Sequence, residues 1–331
     1  MNAFNKIYVL CPKALVTGGT EALHQLVDAI NRHGGQAFIV YYAGQKIGVR
    51  NFVPLKFRHY KIRVLRNIDD IARNAVVAPE IDIEFLSLYK KASKYIWWLS
   101  VDYGSKIDPN WFKMDDVTHL YQSYYAKEFL VKKGVTNLKS LSDYVVNYPI
   151  TQMNKKKEII AICTSKLDKR YEEVIEKIEA EFETVSIKSL SRIGLSKLFN
   201  KSCVIVDFGM HPGKDRLIRE ATLMNNFVIV SQNGACNNVV DVPIDNDSKI
   251  SATNSDVINL IRNLISSDFE FSNGRYKKKV KNEKFVFFKE VRECFHLPEC
   301  DRKVTLVGLR FQIFSLMEHI IIKLGMGKYL R

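Results

Sequence analysis

Short apolar runs alternate with amphipathic stretches in two successive blocks along this chain, and no other feature constrains its fold as much. Ile7-Tyr8-Val9-Leu10 reads as a buried strand, followed by a loop at Gly18-Gly19. Ala22, Leu23, Leu26, Val27 and Ile30 then recur at helical spacing, His33-Gly34-Gly35 stops the helix, and Ala37 to Tyr42 is a second strand. Further strands are expected at 63–65, 75–77, 95–99 and 117–121, with a helix over 124–133. The second block repeats the pattern: strands at 158–163, 184–187, 203–208 and 227–231, with helices over 169–182, 191–200 and 216–224 between them. Strand and helix in strict alternation build parallel sheets through right-handed crossovers. The expected fold class is therefore α/β, with two Rossmann-like doubly wound domains.

The boundaries follow from composition. Asn147-Tyr148-Pro149-Ile150 and the run Lys155-Lys156-Lys157 read as a linker. This places an amino-terminal domain at 1–150 and a second domain at 151–270. A basic helical tail at 271–331 is expected to contain helices over 285–291 and 304–324. The latter packs either on the amino-terminal domain or against a membrane surface through an apolar face flanked by lysines.

With 331 residues, 47% hydrophobic and 26% charged, the chain has the balance of a globular protein. Its six cysteines form no CxxC pair and several sit in apolar runs, so reduced thiols, an intracellular location and no zinc site are expected. The Met1 to Cys11 stretch lacks the flanks of a signal peptide. The most apolar segment, 305–322, is interrupted by Arg310, Glu318 and His319, so no transmembrane helix is expected. A net charge of +14 is concentrated in the two ends of the chain, the middle being nearly neutral. Such a balance suits phosphorylated substrates, an anionic membrane surface or nucleic acid.

Three segments carry candidate chemistry. Gly18-Gly19-Thr20-Glu21 opens a helix after the first strand, where glycines admit a ligand to the backbone and free N–H groups face an anion; Thr20 is the expected cap. A plain capped turn is the alternative. From Val204 to Ala221 a buried strand runs into a loop bearing His211, Gly213, Lys214 and Arg216 before a helix. Ligands of open α/β sheets bind at that carboxyl edge, and Lys214 and Arg216 suit a pyrophosphate; a solvated basic loop is the alternative. After the strand at 227–231, the small-residue loop Asn233-Gly234-Ala235 lets a base or sugar lie against backbone, or is only a turn.

These residues resemble a known group. Gly18-Gly19-Thr20-Glu21 leading into an amphipathic helix is similar to the Gly-Gly-x-Glu opening of GT-B glycosyltransferases, especially family 4. Arg219-Glu220-Ala221 followed by the strand at 227–231 resembles that family's Glu-Ala helix and next strand. The resemblance covers the order of both domains, with sharp motifs in about a tenth of the chain. It implies two domains facing a cleft and a nucleotide-sugar donor held by the second. Glu220 matches the second glutamate of the family's Glu-x7-Glu motif, which holds the donor ribose. Gly18 and Gly19 match the loop beside donor phosphates and acceptor, and Lys214 and Arg216 fall near its phosphate-binding cations. Pro212 stands where the first glutamate belongs, leaving the sugar contact to His211 or Gly213.

The resemblance implies transfer of a hexose-type sugar to a saccharide or lipid-linked acceptor in bacterial surface-polysaccharide synthesis, without metal and with no cofactor beyond the donor. Asp102, just past an apolar strand, is the candidate base, or only a turn cap. His24 and His119 read as structural. The expected location is cytoplasmic, peripheral at the inner face of the plasma membrane. An inactive GT-B-like assembly partner and a basic nucleic-acid-binding protein remain as alternatives. No nucleic-acid module signature appears, and the G-x-G-x-x-G spacing of a nicotinamide enzyme is missing.

Overall fold

A computed structural model describes residues 4–146, 158–188, 190–253, 256–266 and 269–298. It divides into two units, Met1–Tyr144 with Lys284–Arg331, and Val145–Glu283. The expected linker residues 147–150 and 155–157 and the helix expected over 304–324 lie outside the described residues.

Among the described residues, the first unit builds an eight-stranded sheet: β1 (Lys6–Pro12), β2 (Ala37–Ala43), β3 (Lys46–Ile47), β4 (Val64–Leu65), β5 (Asn74–Pro79), β6 (Ser93–Trp98), β7 (Val117–Tyr121) and β8 (Leu138–Ser140). Its order is β3-β2-β1-β5-β6-β7-β8, with β4 also on β2, and every pairing is parallel except β2 with β3. The connections leave β1 toward β2 on one side and β5 toward β6 on the other. That reversal is a topological switch point at the carboxyl ends of β1 and β5.

Helix α1 (Gly18–Arg32) crosses from β1 to β2, and α2 (Tyr124–Lys132) follows β7. Thr17, not Thr20, is the N-cap of α1: its hydroxyl accepts from the Thr20 amide, and the Thr20 side chain accepts from the Thr17 amide. The cap moves one turn outward because the helix already begins at Gly18. Residues Thr20 to Asn31 are all buried, so the polar ones need partners. Glu21 accepts from the Tyr60 hydroxyl at 2.9 Å, and His24 bridges Thr20 O at 2.7 Å and the Tyr41 hydroxyl at 2.9 Å. Burial lowers the His24 pKa to about 4, in keeping with a structural histidine. The stretch from β5 to β7 holds short 3-10 turns instead of α-helices, including Glu80–Leu88 directly after β5.

The second unit holds β9 (Ile159–Cys163), β10 (Thr184–Ile187), β11 (Ser202–Asp207), β12 (Phe227–Ser231) and β13 (Lys249–Ile250), all parallel in the order β10-β9-β11-β12-β13. Helices α3 (Glu172–Glu181), α4 (Arg192–Lys201), α5 (Arg216–Leu223) and α6 (Gly234–Asn237) lie between strands, and α7 (Val257–Ser266) follows β13. One apolar cluster, with Phe199, Ile218, Ala221 and Tyr276, packs around Ile205 and Val228. Another, with Val174, Ile178, Val257 and Ile261, packs around Val206 and Ile229. Adjacent residues of β11 and of β12 thus face opposite cores, which is why these strands read as continuous apolar runs.

Helix α8 (Phe269–Phe295) is far longer than the expected 285–291 and begins before the expected boundary at 270. Its residues through Glu283 belong to the second unit, where Tyr276 and Val280 join the core. From Lys284 onward they belong to the first, where Phe287 stacks on Trp97 and Glu290 accepts from Ser140 and Ser142. Lysine-rich stretches break the apolar pattern, so periodicity alone shows only the aromatic turn of this helix. The five described cysteines are free, and four of them are buried. Among the described residues no helix is long and apolar enough to cross a membrane.

Candidate functional site

The carboxyl ends of β9, β10 and β11 enclose a cavity of about 290 Å3 in the second unit. Its apolar wall is Ile187, Leu190, Leu195 and Leu217; its polar side is Ser165, Lys166, Asp207, His211 and Asp215. Cys163 and Asp207 stand opposite each other in the pairing of β9 with β11. The connection from β9 leads to β10 on one side, that from β11 to β12 on the other. The cavity therefore occupies the topological switch point, where open α/β sheets bind ligands.

The loop after β11 is held from three sides. Gly209 pairs with Leu167, and the Asp168 amide donates to Phe208 O at 3.0 Å. Ser231 donates to Gly209 O at 2.6 Å, and the Ala235 amide donates to His211 O at 2.8 Å. His211 takes a positive φ of 46° within this loop. Gly234, at φ +53°, lies so close that a Cβ there would sit 2.1 Å from His211 O. The expected loop Asn233-Gly234-Ala235 thus braces the His211 loop, and glycine is required at 234 by contact as well as by conformation.

His211 is 3% exposed. Its Nε2 lies 3.2 Å from the backbone oxygen of Asp207, which can only accept, so this nitrogen carries the proton and donates. Nδ1 faces Asp215 Oδ2 at 3.9 Å, while the other Asp215 oxygen caps α5 by accepting from the Leu217 amide at 2.7 Å. Burial, and then the neighbouring Asp215 charge, push the Asp207 carboxyl pKa up. Asp207, His211 and Asp215 each offer a ligand atom within 4.8 Å of the others, a grouping able to hold a metal ion.

The other expected donor-binding residues are arranged differently. Lys214 points into the unit, its Nζ 3.0 Å from Glu283 Oε1, with side chains 7% and 4% exposed. Arg219 donates to the other oxygen of Glu283 at 3.0 Å. Arg216 lies 3.6 Å from Glu220, and Glu220 is buried. Gly213 is buried as well. Of these expected residues, His211 lines the cavity, whereas Gly213, Lys214, Arg216 and Glu220 do not. The partner that draws Lys214 inward is on α8, about seventy residues away, and no local pattern signals it. Lys166 and Arg170, which the sequence reading missed, are exposed on the loop after β9. Arg170 donates to Asp168 and to Asn233 Oδ1 at 3.2 Å and holds the Asp168 carboxyl below its usual range. Their position after an apolar strand was the available signal.

The first unit brings a second group to its own switch point. Gly18 and Gly19 follow β1, and Leu99 lies against Gly19. Glu80 follows β5 directly and is 4% exposed; it accepts from the Leu99 amide at 3.0 Å. Burial raises its pKa to about 7, with a smaller contribution from the charge of Asp102, outweighing the amide hydrogen bonds that lower it. Asp102 itself is exposed at the start of a 3-10 turn, its amide on the Ser100 hydroxyl. Glu80 was missed because its surroundings include the turn after β6, nineteen residues along the chain. His119 is buried on β7, accepts from the Trp98 indole at 3.0 Å and has its pKa lowered to about 4 by burial, again a structural role.

No family model matches the sequence, and no curated protein matches it. Solved structures do. A glycosyltransferase from Rickettsia africae aligns with a TM-score of 0.55 at 13% identity, over 96% of this chain and 99% of that one. Sucrose-phosphate synthase from Thermosynechococcus elongatus gives 0.54 at 11%, over 96% and 100%. HepE of Anabaena, solved with UDP-glucose, gives 0.50 at 10%, over 97% and 99%. At such identities the likeness concerns the path of the chain through both units. With two doubly wound, mainly parallel sheets in succession and this likeness over nearly the whole chain, the chain has the GT-B fold.

Proposed function

We propose that this protein is a glycosyltransferase taking its sugar from a nucleotide-activated donor. The observation that carries the reading is the cavity at the switch point of the second sheet. Its apolar wall suits a base and ribose, while the His211 loop and the start of α5 border the side where a diphosphate would lie. At about 290 Å3 it is near the lower end of small-molecule sites, roughly 300 Å3 and above. HepE, of the same fold, was solved with UDP-glucose, which makes uridine nucleotides the first to test.

In the transfer, an acceptor hydroxyl oxygen attacks the anomeric carbon as the bond from that carbon to the diphosphate oxygen breaks. The hydroxyl proton is assigned to Asp102, the exposed carboxylate; Glu80 holds the Leu99 amide and so positions the turn before it. Lys166 and Arg170 are the exposed cations suited to the leaving diphosphate, in place of the buried Lys214. A metal-free reaction, expected from the family resemblance, would set that diphosphate beside two carboxylates in the cavity wall, with Lys166 as the cation there. The donor serves as substrate, with no organic cofactor required.

A saccharide or lipid-linked acceptor of bacterial surface-polysaccharide synthesis, met at the cytoplasmic face of a membrane, fits the excess of basic residues at both ends of the chain. Thermal stability with uridine, guanosine and cytidine diphosphates and their sugars tests the reading, followed by donor hydrolysis and transfer. Protection by at least one nucleotide is expected. Salt-sensitive nucleic-acid binding with no nucleotide protection would overturn it in favour of a binding protein.

A further inference from the structure

His211 faces Asp215 across the wall of the cavity. With Nε2 donating to the Asp207 backbone oxygen, Nδ1 faces a carboxylate oxygen of Asp215 3.9 Å away, beyond hydrogen-bond distance. Among the described residues Nδ1 has no hydrogen-bond partner. The ring is 3% exposed, so bulk water does not surround it. Asp207 is equally buried. Its Oδ1 accepts from the Gly209 amide at 3.2 Å, 3.7 Å from His211 Nε2, and its second oxygen has no hydrogen-bond partner among the described residues. All three side chains line the cavity, and one ligand atom of each lies within 4.8 Å of the others.

We propose that Asp207, His211 and Asp215 bind one divalent first-row transition-metal ion at the wall of this cavity. One imidazole and two carboxylates form a donor set suited to manganese or zinc. Backbone anchoring of the far ring nitrogen is the arrangement that fixes the tautomer of a metal-bound histidine. The second Asp215 oxygen stays on the start of α5, so the helix cap orients the ligand. Both sheet and helix hold these residues rigidly: Asp207 ends β11, and Asp215 begins α5. Such an ion would offset the two carboxylates where a diphosphate must approach. That role rests on the donor reading above, but binding of the ion does not.

The test is a titration of the full chain with Mn2+ alone, read by electron paramagnetic resonance of the free ion. One saturable site per chain is expected. Asp215→Asn and His211→Asn should each weaken it by about tenfold or more. Asparagine still caps a helix at 215 and tolerates the positive φ at 211, so both variants keep the backbone of the site, and affinities are compared in protein shown to be folded by circular dichroism. No saturable site, or equal affinity in folded variants, would overturn the proposal. The nucleotide panel run in EDTA separates the two readings. Protection in EDTA without a Mn2+ site leaves the transferase and removes the ion, and a Mn2+ site with no nucleotide protection either in EDTA or with Mn2+ added leaves the ion and removes the transferase.

Discussion

Lys214 and Glu283 meet at 3.0 Å inside the second unit, with their side chains 7% and 4% exposed. The contact joins charges without an aligned hydrogen bond, since Glu283 Oε1 has no bond of proper geometry. Arg219, 1% exposed, binds the other oxygen at 3.0 Å, so one carboxylate serves two buried cations. A cation so placed secures α8 to α5 and the loop before it.

Glu283→Gln should therefore destabilise the protein by about 3–5 kcal/mol, because it leaves buried positive charge uncompensated. Denaturant unfolding measures the loss. Lys214→Met should likewise act on stability, with little effect on nucleotide affinity in the protein that remains folded. A large loss of affinity at unchanged stability would restore Lys214 to the donor site.

Glu80 sets a pH dependence of known sign. Its folded pKa of about 7 lies above the ordinary 4.5, so the folded state holds the proton longer. Below pH 4.5 both states are protonated and nothing is lost. Between 4.5 and 7 the unfolded chain ionises first and stability falls, levelling off above 7. Glu80→Gln keeps an acceptor for the Leu99 amide and does not ionise. Its stability relative to wild type should rise across that window to about 3 kcal/mol above pH 7. Parallel urea titrations at pH 4 and pH 8 check this, and a constant difference would place the carboxylate in water.

Two glycines should respond in opposite ways. A Cβ on Gly19 would meet Leu99 Cδ1 at 3.6 Å and Thr17 Oγ1 at 3.8 Å, ordinary contacts within a helix. Gly19→Ala should be neutral or stabilising by up to about 1 kcal/mol, so any rise in KM would report a ligand approaching that backbone. Gly234→Ala drives a methyl group into His211 O and Met210 O at a positive φ. A loss of about 3 kcal/mol or more is expected in thermal unfolding.

Asp102→Asn should leave nucleotide protection unchanged and lower turnover by about 100-fold or more, the ordinary contribution of a general base. Turnover within a factor of about three of wild type would reduce Asp102 to a turn residue.

Much of this architecture is legible along the chain. The apolar runs at 7–10, 203–208 and 227–231 coincide with β1, β11 and β12, and the Gly18 and His211 loops fall at carboxyl edges as their place after strands implies. Strands β3, β8 and β13 escaped because two or three residues carry no period, and α8 because lysines interrupt its apolar face.

The sequence by itself determined the order of strands and helices, and hence which loops gather at each sheet edge, because strand and helix periods are local properties of neighbouring residues. Only the tertiary structure decided which charges face solvent. Lys214 is buried by Glu283 and Lys166 is exposed; burial raises the Glu80 pKa; His211 presents Nδ1 to Asp215 because Nε2 is tied to the strand behind it. Burial and charge depend on what the rest of the chain brings near, and spacing along the backbone does not encode that.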